Sequence, residues 1–142
     1  MENRTGSHSI HSLQVHLVWI TEYRCQVLTG DVQYRCRDIL RQLCNTLDIR
    51  ILKGAVGKGH IRLHLSCLPG ISPGETVKRL KGRSSRLLLQ EFPELRRRCR
   101  GSHFWGTGYG SWSVGNITDG LLQNYLNRHK DSPNGTENFI LE

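Results

Sequence analysis

The run Gly59-His60-Ile61-Arg62-Leu63-His64-Leu65-Ser66 places a polar side chain at every second position. A strand sends alternate side chains to opposite faces, so His60, Arg62, His64 and Ser66 share one face and Ile61, Leu63, Leu65 and Cys67 the other. If the apolar set packs on a core, two imidazoles and a guanidinium stand over the sheet. That is a setting for chemistry on a phosphate or for a metal ion, but the metal site is only half provided. Residues four apart on a strand are ~13 Å apart, too far for His60 and His64 to share one ion. The position between them, ~7 Å from each, is an arginine, which stays protonated and does not ligate.

A second feature lies far along the chain, in Leu121-Leu122-Gln123-Asn124-Tyr125-Leu126-Asn127-Arg128-His129. Tyr125 and His129 are four residues apart and share a helix face. Such a helix can simply pack its aromatic ring on the sheet. Alternatively the tyrosine is a covalent nucleophile, a role in which a phenol needs a metal, a base or developing negative charge nearby. Tyr109, within Gly108-Tyr109-Gly110, is the competing tyrosine and reads as a structural aromatic.

The 142-residue chain carries 20 Lys and Arg against 12 Asp and Glu, a formal charge of +8. Cations concentrate at Lys78, Arg79, Lys81, Arg83 and Arg86 and again in Arg96-Arg97-Arg98-Cys99-Arg100. A solvated charged face is one explanation, and contact with backbone phosphates, Arg97 included, is the other. Nucleic acid ranks ahead of membrane because no long apolar run or amphipathic anchor accompanies the charge. The polar Met1 to Ser9 is no secretory signal, so a cytoplasmic protein is expected. Five cysteines, at 25, 36, 44, 67 and 99, contain no C-x-x-C pair, so reduced thiols are expected rather than a disulfide framework or structural zinc.

The elements that must position these groups follow from periodicity. Residues 1–11 read as a flexible arm, 12–130 as one domain and 131–142 as a mobile tail, with Phe139-Ile140-Leu141 as a docking patch. Residues 12–20 alternate as a half-buried strand, with Leu13, Val15, Leu17 and Trp19 on one face. Thr29-Gly30-Asp31 opens a helix to about Leu47, and strands at 49–56 and 60–67 form a hairpin around Gly57-Lys58-Gly59. A second, basic helix runs from Ser72 or Pro73 to Glu91, and Phe92-Pro93 ends it before a basic loop. Residues 103–114 read as a bulged fourth strand, and Thr118 as the cap of a last helix to about Lys130. This order predicts an α+β, ferredoxin-like (split βαβ) antiparallel sheet with its helices on one face and an appended C-terminal helix carrying Tyr125. The opposite face stays open, and His60, Arg62 and His64 are expected there.

The residues resemble a known family, the HUH-type single-strand DNA tyrosine transposases of bacterial insertion sequences (TnpA, IS200-like). The similarity runs from about His11 to His129. It rests on Val15-His16-Leu17-Val18-Trp19-Ile20-Thr21-Glu22-Tyr23-Arg24, Leu80-Lys81-Gly82-Arg83-Ser84-Ser85-Arg86-Leu87 and Phe92-Pro93-Glu94-Leu95. His103-Phe104-Trp105, Gly108-Tyr109 and Val114-Gly115-Asn116-Ile117-Thr118 follow in the family's order.

The resemblance implies that Tyr125 attacks a phosphodiester of single-stranded DNA, leaving a 5′-phosphotyrosine and a free 3′-OH. It implies recognition of DNA hairpins at element ends, a homodimer with active sites completed across subunits, and a divalent metal (Mg²⁺ or Mn²⁺). The metal ligands it implies are His60 and His129, and Arg62 occupies the second ligand position, where the family has histidine. Gly59, where an acidic or polar residue is common, is a second departure. Two expectations follow: a transposase whose activity is impaired at Arg62, or a repurposed protein that grips hairpins without cutting. In either, Arg62, His64, Lys78, Arg79, Lys81, Arg83, Arg86 and Arg97 contact DNA. An RNA-binding module of the same fold would need exposed aromatics on the central strands, where this chain has His60, Arg62 and His64.

Overall fold

The computed structural model describes residues 13–98, 103–112 and 124–127. Strand β1 (Leu13–Ile20) is followed by helix α1 (Gly30–Thr46), then β2 (Arg50–Val56) and β3 (His60–Cys67). Helix α2 (Pro73–Glu91), a single helical turn α3 (Leu95–Arg98) and the short β4 (Gly110–Trp112) complete the order. The strands form one antiparallel sheet in the order β2-β3-β1-β4. This is the ferredoxin-like arrangement the element order predicted.

Each element follows from local chemistry. The apolar stripe Val32, Cys36, Ile39, Leu40 and Leu43 gives α1 one buried face. At the start of α2, the Ser72 hydroxyl accepts from the Glu75 amide at 3.0 Å and Pro73 occupies the first turn, where its missing N–H is no loss. The buried Val77, Leu80 and Leu88 of α2 join the α1 stripe over Val15, Leu17, Trp19, Ile61, Leu63 and Leu65. Both helices thus cover the face opposite His60, Arg62 and His64.

Several expectations are corrected. The segment after α2 is helical at Leu95–Arg98 rather than a loop, and the described part of the fourth strand begins at Gly110 rather than His103. Before it, Trp105 is pinned rather than paired into the strand. A bridge joins it to Thr21, its Nε1 donates to Ser84 Oγ at 3.0 Å, and its ring meets Trp19 edge-on. Lys81 holds the following glycine-rich segment, donating to the carbonyls of Gly106 and Gly108 at 2.7 and 3.0 Å.

Cys25, expected as a free thiol, is disulfide-bonded. It follows a tight turn and is only half-buried, whereas Cys36, Cys44 and Cys67 are free thiols within the core. The arm at 1–11, the Thr118 cap, His129, the end of the last helix and the 131–142 tail lie outside the described residues. No helix among those described is long and apolar enough to cross a membrane.

The face expected to be open is partly closed. Val18 and Ile20 point to it, yet both are buried, because the helical residues 124–127 bring Tyr125 and Leu126 down on them.

Candidate nucleic-acid interface and active site

Register fixes what stands over the open face. On β1, Ile20, Val18 and His16 lie opposite His60, Arg62 and His64 of β3. On the other side of β3, Ala55 faces Arg62 and Lys53 faces His64, after a bulge between Ile51 and Lys53. Beyond β1, Gly110 pairs with Val18 and Trp112 with His16.

His60, expected on an exposed face, is only 2% exposed. Its ring lies against Gly57, where an added Cβ would stand 2.6 Å from the imidazole Cε1. Burial, followed by the charges of Arg24 and Arg62, pushes its pKa down to about 4, so the ring is neutral at physiological pH. Its Nδ1 is buried with no hydrogen-bond partner among the described residues.

Arg24 reaches this corner from a 3-10 turn at Glu22–Arg24, in which Tyr23 and Arg24 adopt φ of 58° and 54°. Left-handed backbone at a residue bearing a Cβ costs of order 1–2 kcal/mol. The turn is held by the Thr21 amide on the Gly59 carbonyl at 3.1 Å and by the Thr21 hydroxyl on the Cys25 carbonyl at 2.7 Å. Buried Arg24 then donates from Nη1 to the Leu126 carbonyl at 3.3 Å.

His64 stacks on His16 with ring centroids 4.1 Å apart, and its Nε2 lies 3.1 Å from Gln14 Oε1. Burial first, then His16, Lys53 and Arg62, lowers its pKa. Arg62 is half-buried between the two histidines, and no hydrogen bond or ion pair engages its side chain among the described residues.

Tyr125 is 6% exposed and packs with Val18, Ile20 and Leu126, meeting the Trp112 ring edge-on at 6.4 Å. The fold therefore brings Tyr125 onto the same face as His60, Arg62 and His64. It does not bring the α2 cations there. Lys78, Arg83 and Arg86 are exposed on the helix layer behind the sheet, Arg79 pairs with Glu75 at 2.9 Å, and Lys81 is bound to backbone carbonyls. Arg97 is exposed on α3. Tyr109 projects over the start of α2, its hydroxyl 2.9 Å from where a Cβ on Gly74 would stand. Sequence reasoning missed Arg24 and Lys53. Arg24 depends on an unusual turn, and the bulge hid the alternation that would have placed Lys53.

The described residues do not fit a divalent cation. The unpartnered Nδ1 of His60 could serve as a ligand, but the charges acting on that ring are two guanidiniums. No group of three His, Cys, Asp or Glu that could hold a metal occurs among the described residues.

The described residues thus form an α+β, ferredoxin-like sheet with a cationic, histidine-bearing face on which Tyr125 is docked. Residues 9–129 match the family described as Transposase IS200 like, and the chain belongs to that family. It is 30% identical to the ISDra2 transposase TnpA of Deinococcus radiodurans over 131 residues, covering 92% of this chain and 94% of that one. The transposase of insertion sequence element IS200 from Salmonella typhimurium is also 30% identical, over 88% of this chain and 82% of that one. A crystal structure described as a transposase from Deinococcus radiodurans R1 superposes with a TM-score of 0.83 at 29% identity, over 91% of this chain and 99% of that one. A REP-associated tyrosine transposase bound to a REP hairpin shares the fold at a TM-score of 0.52 and 14% identity, covering 82% and 64%.

Proposed function

We propose that this protein is a DNA transposase that binds hairpin ends of single-stranded DNA and cuts and rejoins strands through Tyr125. The observation that carries this reading is the docking of Tyr125 on Val18, directly across the β1–β3 ladder from Arg62. A phosphodiester lying on the cationic face meets the guanidinium directly, and the phenol once the tyrosine segment lifts. Attack by the phenolic oxygen forms a 5′-phosphotyrosine and frees a 3′-OH. One phosphoester bond is exchanged for another of similar energy, so rejoining needs no nucleotide cofactor.

The phenol is buried, so attack requires the tyrosine segment to lift from Val18 and Ile20. Such mobility suits a homodimer in which the tyrosine of one subunit completes the site of the other, the assembly the family resemblance implies. Hairpin DNA as the partner is supported by the REP-hairpin complex of the fold neighbour and by the +8 charge of this chain.

The test is a denaturing gel of single-stranded oligonucleotides tiled across the DNA flanking this chain's reading frame. A protein–DNA adduct is expected, and it is absent with Tyr125→Phe. An adduct that survives Tyr125→Phe overturns the assignment. A second reading, a hairpin-binding protein that does not cut, is favoured by Arg62 at the family's second ligand position. It expects a gel shift on the same oligonucleotides with no adduct from any version.

A further inference from the structure

We propose that Arg62 takes over the work of a divalent cation, binding the scissile phosphate with its guanidinium so that cleavage by this protein is independent of metal. The inference rests on the reading of Tyr125 as nucleophile and concerns how the phosphate is held.

Three observations carry it. First, Arg62 sits at the centre of the open face, with small neighbours on both sides: Ala55 on β2 and Val18 on β1. Cross-strand partners are ~4.5–5.5 Å apart, so a guanidinium rising from position 62 stands beside the residue on which Tyr125 packs. Second, the Arg62 side chain has no hydrogen bond or ion pair among the described residues although it is half-buried, so its fork of donors is available to an anion. Third, among the described residues the surroundings are cationic or neutral. Lys53 stands beside His64, Arg24 acts on His60, and the open-face positions of the four strands carry no Asp or Glu. A divalent cation entering here meets three fixed positive charges, whereas a phosphodiester meets complementary ones.

The chemistry closes without a further reactant. The Tyr125 Oη–P bond forms and the P–O3′ bond breaks. The phenol releases one proton to solvent and the departing 3′ oxygen takes one up. Charge accumulates on the two non-bridging oxygens during transfer, and the planar fork of an arginine matches that pair of oxygens. Loss of one such charge-stabilising donor set lowers rates by roughly a hundredfold or more.

The experiment uses the full chain and the tiled single-stranded oligonucleotides, with EDTA or with Mn²⁺, in four versions: unmodified, Arg62→Gln, Arg62→Lys and Arg62→His. Thermal melts and gel shifts establish that each folds and binds DNA, and Mn²⁺ electron paramagnetic resonance reports metal uptake directly. The expected result is equal adduct in EDTA and Mn²⁺ from the unmodified protein, with no bound Mn²⁺. Arg62→Gln should lower the rate roughly a hundredfold, and Arg62→Lys, a point charge without the fork, should fall between.

An adduct that requires Mn²⁺, or micromolar Mn²⁺ binding by the unmodified chain, overturns the inference while leaving Tyr125 as nucleophile. So does an adduct that appears only in Arg62→His with Mn²⁺, which would mark Arg62 as a lost ligand. No adduct from any version, with hairpin binding intact, overturns the inference and the nucleophile assignment together.

Discussion

Arg24 Nη1 donates to the Leu126 carbonyl at 3.3 Å, tying the turn after the first strand to the tyrosine segment across 102 positions of sequence. Arg24→Met keeps most of the apolar stem and removes the donor, leaving the carbonyl of a buried helical residue without it. The expected cost is about 1.5–3 kcal/mol, the range for a hydrogen bond to a charged group. It should appear as faster amide hydrogen exchange at residues 124–127 with the β1–β3 ladder still protected. Uniform loss of protection across the sheet would contradict a local role.

The pH dependence of stability carries the signature of His60. Its folded pKa of about 4 lies below the ordinary 6.5, so the unfolded chain takes up the proton first. The contribution is complete above about pH 6.5 and is lost as pH falls from there to about 4, by at most about 3 kcal/mol. Urea midpoints measured at pH 7.5 and 4.5 should converge in His60→Gln relative to the unmodified protein. An unchanged difference would show that other groups set the slope.

Gly57→Ala places a methyl group against the His60 imidazole, and a ring held between strand and turn cannot swing away freely. A loss of about 1–3 kcal/mol in unfolding free energy is expected, as for overpacking in cores. Gly82→Ala, on an open part of α2 with nothing near the added carbon, is the control and should be neutral or stabilising. Equal effects at the two positions would remove the steric account.

Ser84→Ala leaves the buried Nε1 of Trp105 without its acceptor at a cost of about 1–3 kcal/mol. Chemical denaturation measures it. Ser85, whose hydroxyl bonds the Gly82 carbonyl on the exposed side, should tolerate alanine.

Burial raises the Cys36 and Cys44 thiols to about 12, so neither should react with iodoacetamide at pH 8 until the core opens. Mass spectrometry across a urea gradient should show both modified together with global unfolding.

How much of this was legible in the sequence differs by element. The β3 strand was read to the residue because its alternation is strict and its apolar side faces a core. The helices were read closely because Val32 to Leu43 and Val77 to Leu88 keep helical spacing and Ser72-Pro73 marks a start. The fourth strand was overextended: the glycine-rich stretch after Trp105 is held by Lys81 and Ser84, tertiary contacts that leave no periodic signal. At the candidate site, alternation placed His60 and Arg62 on the face away from the helices, but it could not show the burial of His60. It depends on Gly57 and on a strained turn whose left-handed Tyr23 and Arg24 no propensity favours.

The strand order also has a kinetic consequence. The β2–β3 hairpin is local, whereas β4 and the tyrosine segment reach back to β1 from about ninety residues downstream. Loop closure of that length delays their pairing until the rest of the sheet exists. As the protein is synthesised, the face carrying His60, Arg62 and His64 is therefore built first, and Tyr125 docks on it last. The last piece to arrive, anchored by the three-residue β4, should also be the first to leave, so among the described residues Tyr125 sits on a readily opened unit.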